Sequence, residues 1–195
     1  IAPGLVMMSV ITNSYGNVVG SFFNAKIQGH IEELLVSPLS EVSIVIGYLA
    51  GGIIRGLAVG TVVTFIALFF TQINIKYPVM TFFVVIMTAG VFSLAGLINA
   101  IFAKKFDDIA VIPSFVLAPL TYLGGVFYTV SLLPEFWQTI SRLNPILYMI
   151  NSMRYSVIGI SDVSIQNALM MIVFFFFILF SIAVILLRKG IGIRQ

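Results

Sequence analysis

The sequence predicts an all-α polytopic membrane protein with five transmembrane helices, a short cytoplasmic helix and short re-entrant outer helices. Of its 195 residues, 60% are hydrophobic and only 9% are charged, whereas soluble domains carry roughly 25% charged residues. The charges divide the chain into five apolar stretches, each close to the roughly 20 residues that a helix needs to cross a bilayer. The stretches lack the alternation of a transmembrane β-barrel, which excludes that class.

Each apolar stretch is predicted to be a helix, because an isolated strand would leave its backbone groups unpaired in lipid. The predicted spans are 1–23, 42–71, 78–103, 109–128 and 163–187. The first begins in apolar sequence without an initiator Met, so we expect an N-terminal part, including one transmembrane helix, to be missing.

Basic residues predict the orientation of the spans. On the side of the C-terminus lie Lys26, Lys104, Lys105, Arg188, Lys189 and Arg194. On the other side lie Lys76, Arg142 and Arg154. Because cytoplasmic loops carry the excess of Lys and Arg, we expect the C-terminus in the cytoplasm.

The first inner connection, 24–42, is predicted to contain a short amphipathic helix. Its apolar positions recur at helical spacing at Ile27, Ile31, Leu34 and Leu35. The polar positions on its other faces are Gln28, Glu32 and Glu33. Ser37 and Pro38 are suited to cap and start the next helix. The short helix either lies on headgroups or docks onto a protein, and its paired carboxylates favour docking, since the inner leaflet is anionic.

The second span contains glycines at spacing four and one arginine. Gly52, Gly56 and Gly60 form one such series, Gly47 and Gly51 another, and both predict close helix packing. Arg55 lies near mid-membrane, where an unpaired cation costs at least ~2.5–3.5 kcal/mol. We expect it to face protein or water, either in a structural contact or as the lining of a transport path.

Two further segments interrupt the apolar pattern. The inner turn Lys104, Lys105, Phe106, Asp107, Asp108 is either a solvated corner or a second contact for a cytoplasmic partner. Pro113 and Pro119 favour kinks in the fourth span.

The outer segment 129–162 is broken by Pro and Gly into pieces of about ten residues, which are too short to cross the membrane. We expect short amphipathic helices that dip into the outer leaflet. Trp137, Tyr128, Tyr148 and Tyr155 would then form part of an interfacial belt; a gate over an exit path is the alternative.

The sequence lacks the residues that several classes of enzyme and metal site require. The chain has no cysteine and only one histidine, which removes Cys nucleophiles and His/Cys zinc cages. It contains no G-x-x-x-x-G-K-[ST] phosphate loop and no G-x-S-x-G nucleophile motif. We therefore expect no enzyme activity and no cofactor or metal on this chain.

Four stretches of sequence are specific in combination. They are PGLVMMSVITNSYGN, IEELLVSPLS, FSLAGLINAIFAKKFDD and PLTYLGGVFYTVSLLPEFWQTISRLNPILYMINSMRY. Through them the whole chain resembles the membrane permease subunits of ABC-2 type exporters, and among these the YadH-like permeases of the bacterial inner membrane.

The resemblance implies a single ABC-2 type transmembrane domain over 1–195, with five of the family's six transmembrane helices. It also implies a homodimer in contact with membrane lipids, two copies of a separate ATPase subunit that bind the ATP and Mg, and no nucleic acid. The ATPase-coupling residues would be Gln28, Ile31, Glu32, Glu33, Leu34, Leu35, Ser37 and Pro38. A second cytoplasmic contact would be Lys104, Lys105, Asp107 and Asp108. The outer gate and re-entrant residues would be Gly124, Gly125, Phe127, Tyr128, Pro134, Trp137, Asn144, Pro145 and Arg154.

The sparse polar residues of the spans favour an amphiphilic or hydrophobic cargo, exported from the cytoplasm or the inner leaflet. A non-transporting scaffold or receptor that docks a cytoplasmic partner is the alternative. An ion channel would need polar residues repeated along one helix face, and apart from Arg55 we expect only scattered Ser, Thr and Asn.

Overall fold

The computed structural model describes residues 1–71 and 75–192, without the side chains of Glu32, Leu35, Val36 and Ser131. This part of the chain is helical with no strand, as the sequence predicts. The helices are α1 (Ala2–Ile27), α2 (His30–Val36), α3 (Glu41–Phe70), α4 (Pro78–Phe102), α5 (Phe106–Ile112), α6 (Ala118–Leu123), α7 (Glu135–Arg142), α8 (Pro145–Ile158) and α9 (Ile165–Lys189). A π-helical turn, Pro113–Leu117, joins α5 to α6, and a 3-10 turn, Val130–Leu132, precedes α7.

Four segments of the described chain are long and apolar enough to cross a membrane, namely α3, α4, the continuous helical stretch Phe106–Leu123, and α9. The predicted count of five is therefore not confirmed. The remaining candidate, α1, has 26 residues and falls short in hydropathy alone, because polar residues such as Thr12, Asn13 and Asn17 interrupt it.

α1 lies at the centre of the bundle, between α3 and α4. Its contact with α4 is close: a Cβ on Gly96 would stand 2.6 Å from the Tyr15 carbonyl oxygen. A buried hydrogen bond, Asn99 Nδ2 to Tyr15 Oη at 2.7 Å, joins the same two helices. α9 covers the other side of α4.

One of the two glycine series of α3 packs closely against a neighbouring helix, as predicted, and the other does not. Gly52, Gly56 and Gly60 are buried, and a Cβ on Gly56 would collide with the Ser14 hydroxyl oxygen of α1. Gly47 and Gly51 are exposed. Only the first series therefore forms a close helix contact.

The start of α3 corrects the predicted cap. Ser40 is its N-cap residue, and the Ser40 Oγ accepts a hydrogen bond from the Ser43 N–H at 3.2 Å. Ser37 instead closes α2, because its hydroxyl donates to the Leu34 carbonyl at 2.6 Å. Pro38 lies in the connection between the two helices.

The two predicted prolines lie in the stretch Phe106–Leu123. Pro113 begins the π-helical turn, so the helix widens there instead of breaking, as helices often do where an i→i−4 donor is lost. Pro119 lies two residues after that turn, within the same continuous helical stretch, where it removes a second backbone donor. Most of this stretch is exposed, with Phe115 at 76%.

Candidate functional site

The connections predicted to be cytoplasmic lie at one end of the bundle. The Lys26 ammonium at the end of α1 donates to the carbonyls of Ile101 at 2.6 Å and Ala103 at 2.9 Å, which are the last acceptors of α4. The ring of Phe23 packs edge-on against Phe106 at 5.1 Å. α2 begins three residues after the end of α1, and a Cβ on Gly192, just beyond α9, would stand 2.6 Å from the Ile101 carbonyl oxygen. The short helix α2, the turn after α4 and the end of α9 therefore share one end of the molecule, which we call the coupling end.

α2 turns its apolar side toward its own bundle. Gly29 has φ 78°, a left-handed conformation that favours glycine and lets the chain turn between α1 and α2. Ile31 is 2% exposed within the core and Leu34 packs against it. His30 and Glu33 are exposed, so the polar side of α2 remains available to a partner.

The predicted coupling residues differ in their placement. Gln28 is the C-cap residue of α1, so it does not belong to the polar side of α2. Ile27 ends α1 and is 55% exposed, so it does not extend the apolar side of α2. The side chains of Glu32 and Leu35 are outside the described residues. Arg194, which was predicted to add positive charge to this end, also lies outside the described residues.

The predicted second contact lies at the coupling end, next to the carbonyl of Ala103 that Lys26 binds. Lys104, Lys105 and Asp107 are exposed. Asp108 Oδ2 accepts hydrogen bonds from the backbone N–H groups of Lys104 at 2.8 Å and Lys105 at 2.9 Å. Asp108 thus holds the turn in shape, and the other charges are left for a partner.

At the opposite end, Arg154 ties the outer segment together. Its Nη1 lies 3.1 Å from Asp162 Oδ2, the one ion pair among the described residues, with both side chains 13% exposed. Its Nη2 donates to the carbonyls of Gly125 at 2.6 Å and Tyr128 at 3.3 Å. We call Arg154, Asp162 and these two carbonyls the outer clamp.

The other predicted gate residues divide into buried and exposed groups. Gly124 and Asn144 are buried, and Asn144 caps α8 by accepting from the Ile146 N–H at 3.0 Å. Pro145 is the first residue of α8. Those at the surface are Phe127, Pro134 and Trp137. Tyr128 is half-buried, and burial raises the pKa of its phenol above the ordinary value.

α8 packs more deeply than the sequence alone indicates, and its dip into the outer leaflet stays a prediction. It has 14 residues and packs against α1, α4 and α9. Its buried residues are Ile146, Leu147, Met149, Ile150, Asn151, Ser152, Met153, Ser156 and Val157. Of the predicted belt, Trp137 is 45% exposed on α7, whereas the Tyr148 hydroxyl donates to the Arg142 carbonyl at 2.8 Å and Tyr155 stacks on Tyr77 at 5.5 Å.

An apolar cavity of about 400 Å³ lies between α1, α3, α4 and α8. Val6, Leu57, Phe65 and Phe82 are among its lining residues. Three threonines also line it, and each donates its hydroxyl to a carbonyl of its own helix. The cavity wall therefore suits hydrocarbon.

The outward side of α1 carries a polar surface that the sequence reasoning missed. Six residues that are exposed or half-buried form it, and we call it the polar face of α1: Ser9, Thr12, Asn13, Gly16, Asn17 and Gly20. Polar residues thus repeat along one helix face, whereas only scattered ones were expected. Their recurrence at intervals of three and four residues was the signal that could have revealed them.

Arg55 is exposed on α3 beside the polar face of α1. Its Nη1 lies 3.5 Å from Asn17 Oδ1, a distance at the limit of a hydrogen bond. No carboxylate among the described residues is within ion-pair distance of it. Arg55 is therefore neither in a salt bridge nor clamped by carbonyls in the described chain.

Comparisons with known proteins agree with the helical architecture. The sequence model of a family described as ABC-2 type transporter matches residues 1–158. The inner membrane transport permease YadH of Escherichia coli (strain K12) is 52% identical over 195 residues, which cover 100% of this chain and 76% of that protein. Nodulation protein J of Sinorhizobium fredii (strain NBRC 101917 / NGR234) is 26% identical over 157 residues, covering 79% of this chain and 59% of that protein. No solved structure gives a significant match.

Proposed function

Because this chain belongs to the ABC-2 type transporter family, we propose that it is the membrane subunit of an ATP-driven exporter for an amphiphilic or hydrophobic substrate. Membership of the family and the similarity to an inner membrane permease make it a multi-pass transport subunit. The direction of transport, the class of cargo and the energy source are the proposal.

The energy source is proposed to be a separate ATPase that binds the coupling end. The exposed groups His30, Glu33 and Asp107 offer it a polar surface, and the apolar side of α2 is already used by the bundle. The coupling end also carries Lys26 and Arg188. The excess of basic residues there supports a cytoplasmic position for it.

Motion of α2 would reach the bundle through short contacts. Ile31 holds α2 in the core, and Lys26 joins the end of α1 to the end of α4. A displacement of α2 is therefore expected to move α1 and α4 together. The ATPase does work on the cargo only if each nucleotide state favours a different arrangement of these helices.

A second copy of the chain and membrane lipids would complete the assembly. The stretch Phe106–Leu123 is mostly exposed in the single chain, which leaves an apolar surface for another copy or for lipid. The apolar cavity lined by Val6 and Phe82 supports a cargo with a hydrocarbon part.

The test is a charge reversal on the exposed side of α2. Glu33→Arg in the full-length permease, co-purified with its ATPase, is expected to abolish the stimulation of ATP hydrolysis by the permease. The matched control is Glu135→Arg, the same reversal on an exposed residue of α7 at the opposite end. Full stimulation in Glu33→Arg, with the complex intact by size-exclusion chromatography, would refute coupling through α2 and favour a scaffold.

A further inference from the structure

The outward face of α1 is polar, but its own helix satisfies only part of it. The hydroxyls of Ser9 and Thr12 donate to the carbonyls of Leu5 and Met8, as the threonines of the apolar cavity do within their helices. The Asn17 side-chain amide makes no such contact within α1 among the described residues, and its oxygen lies 3.5 Å from Arg55 Nη1. Polar and charged groups of this kind within a membrane-spanning helix face protein or water instead of lipid. The part of the polar face of α1 around Asn17 therefore borders something polar when the protein is in the membrane.

Arg55 adds a positive charge to this face at the depth of the bilayer centre. It lies about halfway along α3, a helix of 30 residues, so about 20 Å of helix separates it from either end. Every Asp and Glu of the chain lies between spans or in the first turns of a helix. A second copy of this chain therefore brings no carboxylate to the level of Arg55.

The surroundings of Arg55 leave room for a ligand. A Cβ on Gly16 or Gly20 would meet no atom within 4 Å, and one on Gly51 would meet only the Asn17 amide nitrogen at 3.6 Å. Guanidinium groups bind phosphate and carboxylate in a bidentate geometry. The Asn17 side-chain amide offers a further donor beside Arg55, whereas the Asn13 amide nitrogen already donates to the Ser9 carbonyl at 3.0 Å.

We propose that Arg55, Asn17 and the polar face of α1 bind the acidic headgroup, a phosphate or a carboxylate, of the transported amphiphile; this rests on the proposed transport function. The cargo of the permease is then an anionic amphiphile. A resident phospholipid carries the same chemistry, but its headgroup lies at the edge of a hydrocarbon layer about 30 Å thick, far from the level of Arg55.

The test measures binding of photoreactive hexadecyl phosphate to the full-length permease in nanodiscs of phosphatidylcholine. Hexadecanol with the same photoreactive group is the uncharged probe. Hexadecyl phosphate is expected to label peptides that contain the polar face of α1, and Arg55→Gln is expected to weaken its binding about tenfold or more. Arg55→Lys keeps the charge and is expected to bind with intermediate affinity. Arg142→Gln, on exposed α7, is the matched control and should bind as wild type.

Wild-type affinity in Arg55→Gln, or equal labelling of these peptides by hexadecanol, would overturn the assignment. Replacing phosphatidylcholine with phosphatidylglycerol separates the two sources of the headgroup. Labelling that persists supports a cargo site, whereas labelling that is competed away identifies a resident-lipid site and overturns the cargo assignment.

The outcomes of the two proposals remain distinguishable. If Glu33→Arg abolishes ATPase stimulation while Arg55→Gln binds hexadecyl phosphate normally, the headgroup site is refuted and the transport function stands. If Glu33→Arg leaves stimulation intact while binding depends on Arg55, the site exists and coupling through α2 is refuted.

Discussion

Replacing Arg154 with Met is expected to loosen the outer segment while leaving the spans folded. Met has a similar length but carries no charge and no donor. The substitution therefore removes the contacts of the guanidinium with Asp162 at 3.1 Å and with the Gly125 carbonyl at 2.6 Å. The loop before α7, the helix α8 and the loop before α9 then lose their common attachment point.

The magnitude follows from the burial of the pair. Both side chains are 13% exposed, so water screens them little, and a surface pair worth about 0–1 kcal/mol is the wrong comparison. Removing one partner of a fully buried pair costs about 3–5 kcal/mol, because the other charge is left uncompensated. Arg154 and Asp162 are half-buried, so the lower end of that range applies. Asp162 keeps only the Val130 N–H at 3.2 Å among its described side-chain partners. A loss of about 3 kcal/mol raises the opened population of this segment roughly a hundredfold.

Hydrogen–deuterium exchange of the full-length protein in nanodiscs measures this opening directly. Faster exchange is expected at 124–130 and 159–164 in Arg154→Met, and unchanged exchange in the control Arg142→Met. Asp162→Asn should have a smaller effect when added to Arg154→Met than when made alone, since the two residues share one interaction. Wild-type protection at both loops in Arg154→Met, or fully additive effects, would refute the outer clamp.

Two further substitutions test the centre of the bundle and the coupling end. Gly96→Ala places a Cβ 2.6 Å from the Tyr15 carbonyl oxygen and should destabilise the protein by about 1–3 kcal/mol, which is measured as a lower melting temperature. Gly47→Ala is the control, because its Cβ lies in open space, and it should leave the melting temperature unchanged. Equal melting temperatures of the two variants would contradict the close contact of α1 and α4. Lys26→Met removes two hydrogen bonds from the end of α4 and should lower the stability of that helix end by about 1–2 kcal/mol. The measurement is hydrogen–deuterium exchange at 99–105, which should become faster. Wild-type exchange there would show that Lys26 does not cap α4.

The spans were predictable because lipid imposes a length that apolar sequence must meet. α4 begins at Pro78, as predicted, since Pro suits the first turn and its missing N–H has no partner there. The ends of α3 and α9 also lie within a few residues of their predicted bounds. Charge positions alone mark such boundaries, so no knowledge of tertiary contacts was needed.

The outer segment was harder, because burial depends on neighbours that are distant in sequence. α8 was expected at the interface on the ground that it is too short to cross a bilayer, yet Leu147 and Ile150 are fully buried. Asn151 and Ser152 are buried beside them. α8 carries Tyr148, Arg154 and Tyr155 on its half-buried side, so its composition did not mark it as a buried helix and only its contacts with other helices show that it is one.

The partner of Arg154 was equally hidden. Asp162 follows it by eight residues, a spacing at which a continuous helix would place the two side chains more than two turns apart. They meet because Gly159 ends α8 with φ 87°, which lets the chain reverse. The prediction placed Arg154 in the outer gate but assigned it no contact, and only the turn shows that it is a structural attachment.

α1 explains why averaged hydropathy misjudges this bundle. The mean hydropathy of a helix combines all of its faces, so the polar face of α1 lowers the mean hydropathy of the whole helix. The other faces of α1 carry Met7, Ile11 and Phe22, which are fully buried. A lipid-exposed helix such as α3 gains nothing from polar residues, yet it carries Arg55 on the side next to Asn17. The polar groups of two adjacent helices thus meet on one side of the bundle, while the opposite sides are apolar. The proposed headgroup site requires this one-sided placement, which makes the α1–α3 side the first surface to probe with an anionic amphiphile.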